Sequence, residues 1–360
     1  MKRLKIVHII QSLVTGGGEK LLVDLCLNSC KNHDVTVISQ YPEGGYQYEK
    51  LLQENGIEVI YLNKKKGFNI GAFFELYAAL KTINPDVVHT HLHAAIYAIL
   101  YYMINKKCVK IHTLHNIATV EFDKPHRKIQ KFAYKHLGVT PVAICHTVKQ
   151  TFEDEYGIKN IPIIYNGIDV KKYSVLNKTF PKEFVIVNVA SFSKRKNQIL
   201  LVNAYKKAIE SNSNMRLLFI GDGAERPEVM SMAKDTPSIE FIGVSDEVDK
   251  YLNEASAFCL CSFFEGLPLS ILEAYAAGLP VIATDVGGIK DILENEKNGY
   301  LVPSDDVNAL ADAIIKLSEN DDLMRKMGKE NNRMAQNFDI KDITNQYIKL
   351  YFEKTGKKND

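Results

Sequence analysis

The chain has 360 residues, 46% of them hydrophobic and 24% charged, a composition that excludes a disordered or low-complexity chain and, at about 150 residues per domain, points to two compact domains. A net charge of +2 argues against a dedicated nucleic-acid binder. That sum hides a split: residues 1–165 carry +6, residues 166–360 carry −4, and all ten histidines lie in the first part.

The N-terminal MKRLKIVHII reads as a first strand, because its apolar run stops at Gln11 with no small-residue cleavage site behind it. Short β-branched runs follow at Asp34–Ser39, Glu58–Leu62, Asp86–His91, Lys107–His115, Pro141–Cys145 and Ile161–Asn166. A second series comprises Phe184–Ala190, Arg216–Gly221, Ile239–Gly243, Ala257–Ser262 and Pro280–Asp285. Helical patterns such as Asn197–Glu210 and Asp306–Asn320 separate them, which is the rhythm of parallel α/β domains. The polar stretch Asp169–Lys182 shows no periodicity and is assigned to the interdomain linker. Apolar residues at Ile340, Ile343, Tyr347, Ile348, Leu350 and Tyr351 predict an amphipathic terminal helix, which packs either on its own domain or back on the first.

The longest apolar run, Ala94–Ile104, is too short for the roughly 20 residues of a spanning helix. Six cysteines without a CxxC pair read as reduced thiols, so a cytoplasmic protein is expected. The loop after the first strand holds Gly16, Gly17 and Gly18 at the start of a helix, where a backbone approaches a ligand closely or simply turns. It is not a dinucleotide fingerprint, since Leu21 stands where GxGxxG needs glycine. His89, His91 and His93 alternate at a strand end; no acidic or cysteine partners accompany them, and no metal is expected there. The stretch Lys124–Leu137 spaces Ile129, Phe132, Ala133 and Leu137 as one helix face among Arg127, Lys128, Lys131 and Lys135. That pattern fits either peripheral contact with an anionic membrane or a solvated helix.

The densest signal is SFFEGLPLSILEAYAAGLPVIATDVGG, Ser262 to Gly288. A strand ends at Ser262, Glu265 and Gly266 form a loop, Pro268 suits a first helical turn, and Gly278 stops the helix. The amides from about Leu267 to Ser270, including Leu269, then face the loop mouth as an anion site. Glu265 and Glu273 flank it, and carboxylates beside an anion suit a neighbour bearing hydroxyls; taken alone, the pair reads equally as surface charge.

From Glu265 to Glu273 the segment resembles the E-x7-E motif of glycosyltransferase family 4, retaining enzymes of the GT-B fold. GDGAERPEV (Gly221–Val229), the FIG of Phe241–Gly243, PVIATDVGG, NGYLVP (Asn298–Pro303), TGGGEK and IIYNGID (Ile163–Asp169) extend the resemblance along nearly the whole chain. It implies two Rossmann-like parallel-sheet domains facing a central cleft, residues 1–168 on the acceptor side and 169–338 binding a nucleotide-sugar donor. The terminal helix, about 339–356, then either returns to the first domain or stays with the second.

Carried over residue by residue, the resemblance makes Glu273 a ligand of the ribose and Glu265 of the donor sugar. Gly16 and Gly17 approach the diphosphate or sugar, Gly243, Gly266, Leu267, Leu269 and Ser270 help seat the donor, and His115 stands at the sugar. Lys196, in NVASFSKRKNQ, offsets charge on the departing diphosphate. The family's arginine five residues earlier is replaced by Ser191, with Arg195 available beside the lysine. Without a DxD triplet, the reaction is expected to need no metal or other cofactor. The expected partners are a nucleotide sugar, UDP-linked before GDP-linked, and a saccharide or lipid-linked acceptor of bacterial surface polysaccharide. A nucleotide-sugar 2-epimerase and a non-catalytic subunit of the same fold are the competing readings.

Overall fold

The computed structural model describes residues 2–65, 67, 69–175 and 178–357. The chain divides into two compact units, Met1–Gly167 with Ile340–Asp360, and Ile168–Asp339.

In the first unit, β1 (Lys5–Ile10), β2 (Asp34–Ser39), β3 (Glu58–Tyr61), β4 (Val87–His91), β5 (Val109–Leu114) and β6 (Val139–Ala143) form one parallel sheet ordered β3-β2-β1-β4-β5-β6. The second unit repeats the plan with β7 (Phe184–Val189), β8 (Met215–Ile220), β9 (Ile239–Gly243), β10 (Ala257–Leu260), β11 (Val281–Thr284) and β12 (Gly299–Val302), ordered β12-β11-β10-β7-β8-β9. Strands such as β4, β5, β10 and β11 are buried along their whole length. Helices cover both faces of such a sheet, which is why β10 (AFCL) and β11 (VIAT) read as nearly continuous apolar runs rather than alternating ones, while β4 and β5 bury His, Thr and Lys side chains as well.

Each sheet winds outward for three strands, returns to its starting strand and winds the other way. Right-handed crossovers then put the helices of the two halves on opposite faces and open a crevice beyond the carboxyl ends of the strands at the reversal. Those strands are β1 and β4 in the first unit, β7 and β10 in the second.

Three predicted elements differ. Ile161–Asn166 is not a strand; it contributes a single bridge, Ile163 to Ala143, because Pro162 has no N–H for a ladder. β12 is formed by residues seen in the sequence only as part of NGYLVP; at four residues it is too short to show a period. Asp169–Lys182, of which Leu176 and Asn177 lie outside the described residues, belongs to the second unit rather than to a free linker. Asp169 caps a short helix, Val170–Tyr173, by accepting from the N–H groups of Lys171 and Lys172, and Tyr173 is buried.

The terminal helix Ile340–Thr355 lies in the first unit. Ile340, Ile343, Tyr347, Tyr351 and Phe352 share a core with Leu4, Ile6, Leu21, Leu25, Val87 and Ile111. The chain passes so close that a Cβ on Gly167 would sit 2.9 Å from the Ile340 Cα, so glycine is required in NGID. Among the described residues no helix is long and apolar enough to cross a membrane.

Ile343 is 1% exposed in that core. Ile343→Ala is expected to cost about 2–4 kcal/mol, the range for removing a fully buried aliphatic side chain, read as a lower urea midpoint of the first unit.

Candidate functional site

The second unit's site grows from the reversal in strand order. β7 and β10 pair only through Ile186–Ala257 and Val187–Phe258, then run on unpaired. Beyond that point the Asn188 side-chain amide donates to the Cys259 carbonyl at 2.8 Å, satisfying an acceptor that the opening crevice would otherwise strand.

Two loops leave this opening. After β7, a 3-10 turn, Lys194–Lys196, leads through Asn197 in the left-handed region (φ 48°) into the helix Gln198–Ser211. After β10 comes Cys261–Pro268. The loops are stitched by the Phe263 N–H donating to the Arg195 carbonyl at 2.8 Å.

Lys196 Nζ and Glu265 Oε1 meet across the gap at 2.5 Å, with little of either side chain exposed. Ser262 Oγ donates to the same oxygen at 2.5 Å, and the Ser262 carbonyl accepts from Thr284 Oγ1 at 2.6 Å. Glu265 therefore stands on β10, β11 and the β7 loop at once, with Oε2 outside both bonds. The following loop closes on it: Gly287, at φ 54°, lies so near that a Cβ would stand 1.8 Å from the Glu265 carbonyl oxygen, and the Gly288 N–H donates to that carbonyl at 3.3 Å. Only glycine fits at 287.

The helix Leu269–Ala276 begins one residue later than expected, with Pro268 as its N-cap. Its opening N–H groups, Leu269 and Ser270, have no partner within the helix, while Ile271 N–H returns to the Pro268 carbonyl at 3.2 Å. The expected run of amides from Leu267 is interrupted at Pro268, which has no N–H. One turn on, Glu273 is buried and its Oε1 accepts from the Tyr173 hydroxyl at 3.1 Å.

The remaining donor-side candidates are more dispersed. The Arg195 guanidinium lies 5.6 Å from the centre of the Phe264 ring. Gly243 ends β9, two strands from β7, its carbonyl accepting from the Gly221 N–H at 2.7 Å. Ser262, named only as a strand end, Thr284 and Tyr173 were given no role from the sequence; a hydroxyl directly after the apolar run of β10 is the one signal by which Ser262 could have been found.

In the first unit Gly16 is the extended N-cap of the helix Gly17–Ser29. His115 follows β5 and lies beneath that helix start, its Nδ1 3.4 Å from where a Gly18 Cβ would be. It belongs to a buried set of imidazoles. Burial pushes His115 down to about 4 and His8 and His112 to about 3, while His89 and His91 fall well below the usual range through burial and then through neighbouring histidines. All five are neutral at pH 7.

The trio that draws together is not His89, His91 and His93. His93 lies on the 3-10 turn after β4, packed edge-on against Phe122. His8, His89 and His91 instead bring one nitrogen each within 4.8 Å of one another. His89 is fully engaged, by the Tyr351 hydroxyl at 2.6 Å and Thr113 Oγ1 at 2.7 Å.

Residues 170–334 match the family model described as glycosyl transferases group 1, and residues 15–172 the one described as Glycosyltransferase Family 4. Over 97% of this chain and 99% of the relative, 24% of residues are identical to the GalNAc-alpha-(1->4)-GalNAc-alpha-(1->3)-diNAcBac-PP-undecaprenol alpha-1,4-N-acetyl-D-galactosaminyltransferase of Campylobacter jejuni. The UDP-Gal:alpha-D-GlcNAc-diphosphoundecaprenol alpha-1,3-galactosyltransferase of Escherichia coli is 27% identical over 78% of this chain and 79% of its own. The crystal structure of Anabaena Alr3699/HepE with UDP and glucose superposes with a TM-score of 0.84 at 19% identity, covering 97% of this chain and 99% of that one. The chain belongs to glycosyltransferase family 4, and it is a glycosyltransferase of the GT-B fold.

Proposed function

We propose that this glycosyltransferase moves a sugar, with retention of configuration and without a metal, from a nucleotide diphosphate sugar to a lipid-linked saccharide in bacterial surface polysaccharide synthesis. A UDP-sugar is the favoured donor and a GDP-sugar the next. The relatives above support the substrate class: one is named for a UDP-galactose donor, two for undecaprenyl-diphosphate-linked acceptors. The observation that carries the reading is the Lys196–Glu265 pair at the mouth of the β7/β10 crevice.

Pairing with Lys196 and Ser262 keeps a buried carboxylate from repelling an incoming diphosphate, and leaves Glu265 Oε2 for a sugar hydroxyl. The diphosphate then lies against the first amides of the helix Leu269–Ala276 and draws the Lys196 ammonium, which stabilises negative charge as the sugar–phosphate bond breaks. Glu273, held by Tyr173, binds the ribose hydroxyls. The leaving phosphate takes the acceptor's proton on the same face. Gly16, Gly17 and His115 act from the first unit.

The acceptor chemistry asks for a membrane surface, and we infer a cytoplasmic enzyme peripherally bound to it. The crossovers from β3 to β4, β4 to β5 and β5 to β6 run in one direction across the sheet and put the helices Gly71–Ile83, Ile99–Ile104 and Lys124–His136 on one face of it. These helices and their flanking residues expose Ile70, Phe74, Met103, Ile104, Ile129 and Phe132. Lys81, Lys106, Lys107, Lys124 and Lys128 are exposed among them. Large apolar side chains interleaved with lysines fit an anionic bilayer.

Lys196→Ala is expected to lower kcat by about 10²- to 10³-fold, the usual loss for a charge-stabilising donor, in a donor-hydrolysis or transfer assay; turnover within about threefold of the parent would remove Lys196 from the chemistry. Glu273→Ala should weaken UDP binding by about 1.5–3 kcal/mol, and unchanged affinity in calorimetry would defeat its assignment to the ribose. The double variant Ile129→Glu, Phe132→Glu should cut co-sedimentation with phosphatidylglycerol vesicles by at least about fivefold at unchanged Tm; undiminished binding would count against this face.

A further inference from the structure

Glu121 ends the four-residue helix Ala118–Glu121 between β5 and the helix Lys124–His136, and it is 2% exposed. Among the described residues no lysine or arginine pairs with it, and neither carboxyl oxygen has a hydrogen bond. A buried carboxylate without a partner is costly enough that such groups ordinarily take up a proton instead.

His112 of β5 faces it, with Nε2 3.9 Å from Glu121 Oε1. The tautomer of this imidazole is fixed from the other side. His112 Nδ1 lies 3.1 Å from the Thr90 carbonyl, which can only accept, and 3.0 Å from Thr90 Oγ1, which donates to the Ile111 carbonyl at 3.2 Å. The ring proton is therefore on Nδ1, and the neutral ring turns a bare lone pair on Nε2 toward Glu121. An ionised Glu121 would set two buried acceptors against each other; a protonated one supplies the missing donor once the carboxyl advances by about 1 Å.

The other groups around Glu121 offer no positive charge. The helix Lys124–His136 presents Tyr134 and the helix His146–Tyr156 presents Tyr156; burial raises both phenols out of the neutral range, and neither hydroxyl has a hydrogen-bond partner among the described residues. His93, on the turn after β4, bears on His112 and is itself pushed down by burial. Arg127 bears on Tyr156 but pairs with Glu155 at 3.2 Å. Burial pushes the Glu121 carboxyl up to about 8, against the pull of the His115 and Asn116 N–H groups.

We propose that Glu121 is held as a neutral acid donating to His112 Nε2, and that this pair is a pH-sensitive latch fastening the helix Ala118–Glu121 to β5. In alkali the proton leaves to solvent, the carboxylate faces a lone pair, and the short helix opens to bring it to water. One other tie holds that helix start, the Ala118 N–H donating to Thr151 Oγ1 at 3.3 Å. Asp123, just beyond, caps the helix Lys124–His136 by accepting from the His126 N–H at 3.1 Å, so opening would loosen the start of that helix as well.

The test compares the full-length protein with Glu121→Gln, whose amide can donate to His112 and has no proton to lose. Unfolded glutamate is ionised above about pH 5 while the native pair keeps its proton, so stability drains from the parent as pH rises toward 8. Urea unfolding should show the folding equilibrium of the parent falling relative to the variant by about tenfold per pH unit between 5 and 8; parallel curves overturn the proposal. Carbon-13 spectra of the parent labelled at the glutamate carboxyls show where the proton sits, and need no variant to fold. One carboxyl should titrate near 8, and its signal should be absent from Glu121→Gln. Glutamates all ionised at pH 7, with or without a charged His112, or a late signal that persists in the variant, overturn the neutral acid. Hydrogen exchange reads the latch: after correction for the chemical rate, the amides of Ala118–Phe122 should exchange at least about tenfold faster at pH 9 than at pH 7 in the parent and equally in the variant. Should Glu121 titrate as expected while those amides keep their protection, the shared proton stands and the latch is overturned.

Discussion

The reversal of strand order governs this molecule. Where β7 and β10 cease to pair, the loops that follow them emerge side by side, although 69 residues separate Lys196 from Glu265. Nothing local to either residue brings them together; the divergence of two parallel strands does. The Asn188 amide on the Cys259 carbonyl marks where the ladder gives way to crevice. The same reversal at β1 and β4 sets the glycine loop of the first unit beside the strand ends that carry His91 and His115.

The two crevices solve the problem of buried polar groups differently. In the second unit opposite charges neutralise each other: Glu265 is held by an ammonium and a hydroxyl. Removing one partner of such a pair leaves the other charged and desolvated, so Lys196 and Glu265 form a unit. In the first unit burial keeps the imidazoles uncharged, and their protons are ordered by hydrogen bonds rather than by field. The terminal helix adds to that order, since Tyr347 and Tyr351 reach Thr113 and His89 from the far end of the chain.

The parallel α/β rhythm was legible because strands buried on both faces are short β-branched runs, and eleven such runs match β1–β11 to within a few residues. The failures are equally physical. Ile161–Asn166 has the composition of a strand, yet Pro162 cannot donate to a ladder. β12, the four residues Gly299–Val302 within NGYLVP, is too short to carry a period. The linker was misjudged because one buried tyrosine, Tyr173, outweighs its polar neighbours, and polarity alone says nothing of a hydroxyl that reaches Glu273 100 residues away.

The sequence by itself determined the βα rhythm, a property of residue type and local spacing, and its resemblance to glycosyltransferase family 4 pointed to the family and to the glutamates and lysine worth examining. Only the tertiary structure decided which atoms meet: Lys196 with Glu265, Tyr173 with Glu273, His8 through His91 with His115. Each of those pairs is joined across different strands or loops, and a hydrogen bond is decided by a few tenths of an ångström. Distances of that kind are set by how sheets stack and where ladders end, and no residue's immediate neighbours in the chain contain that information.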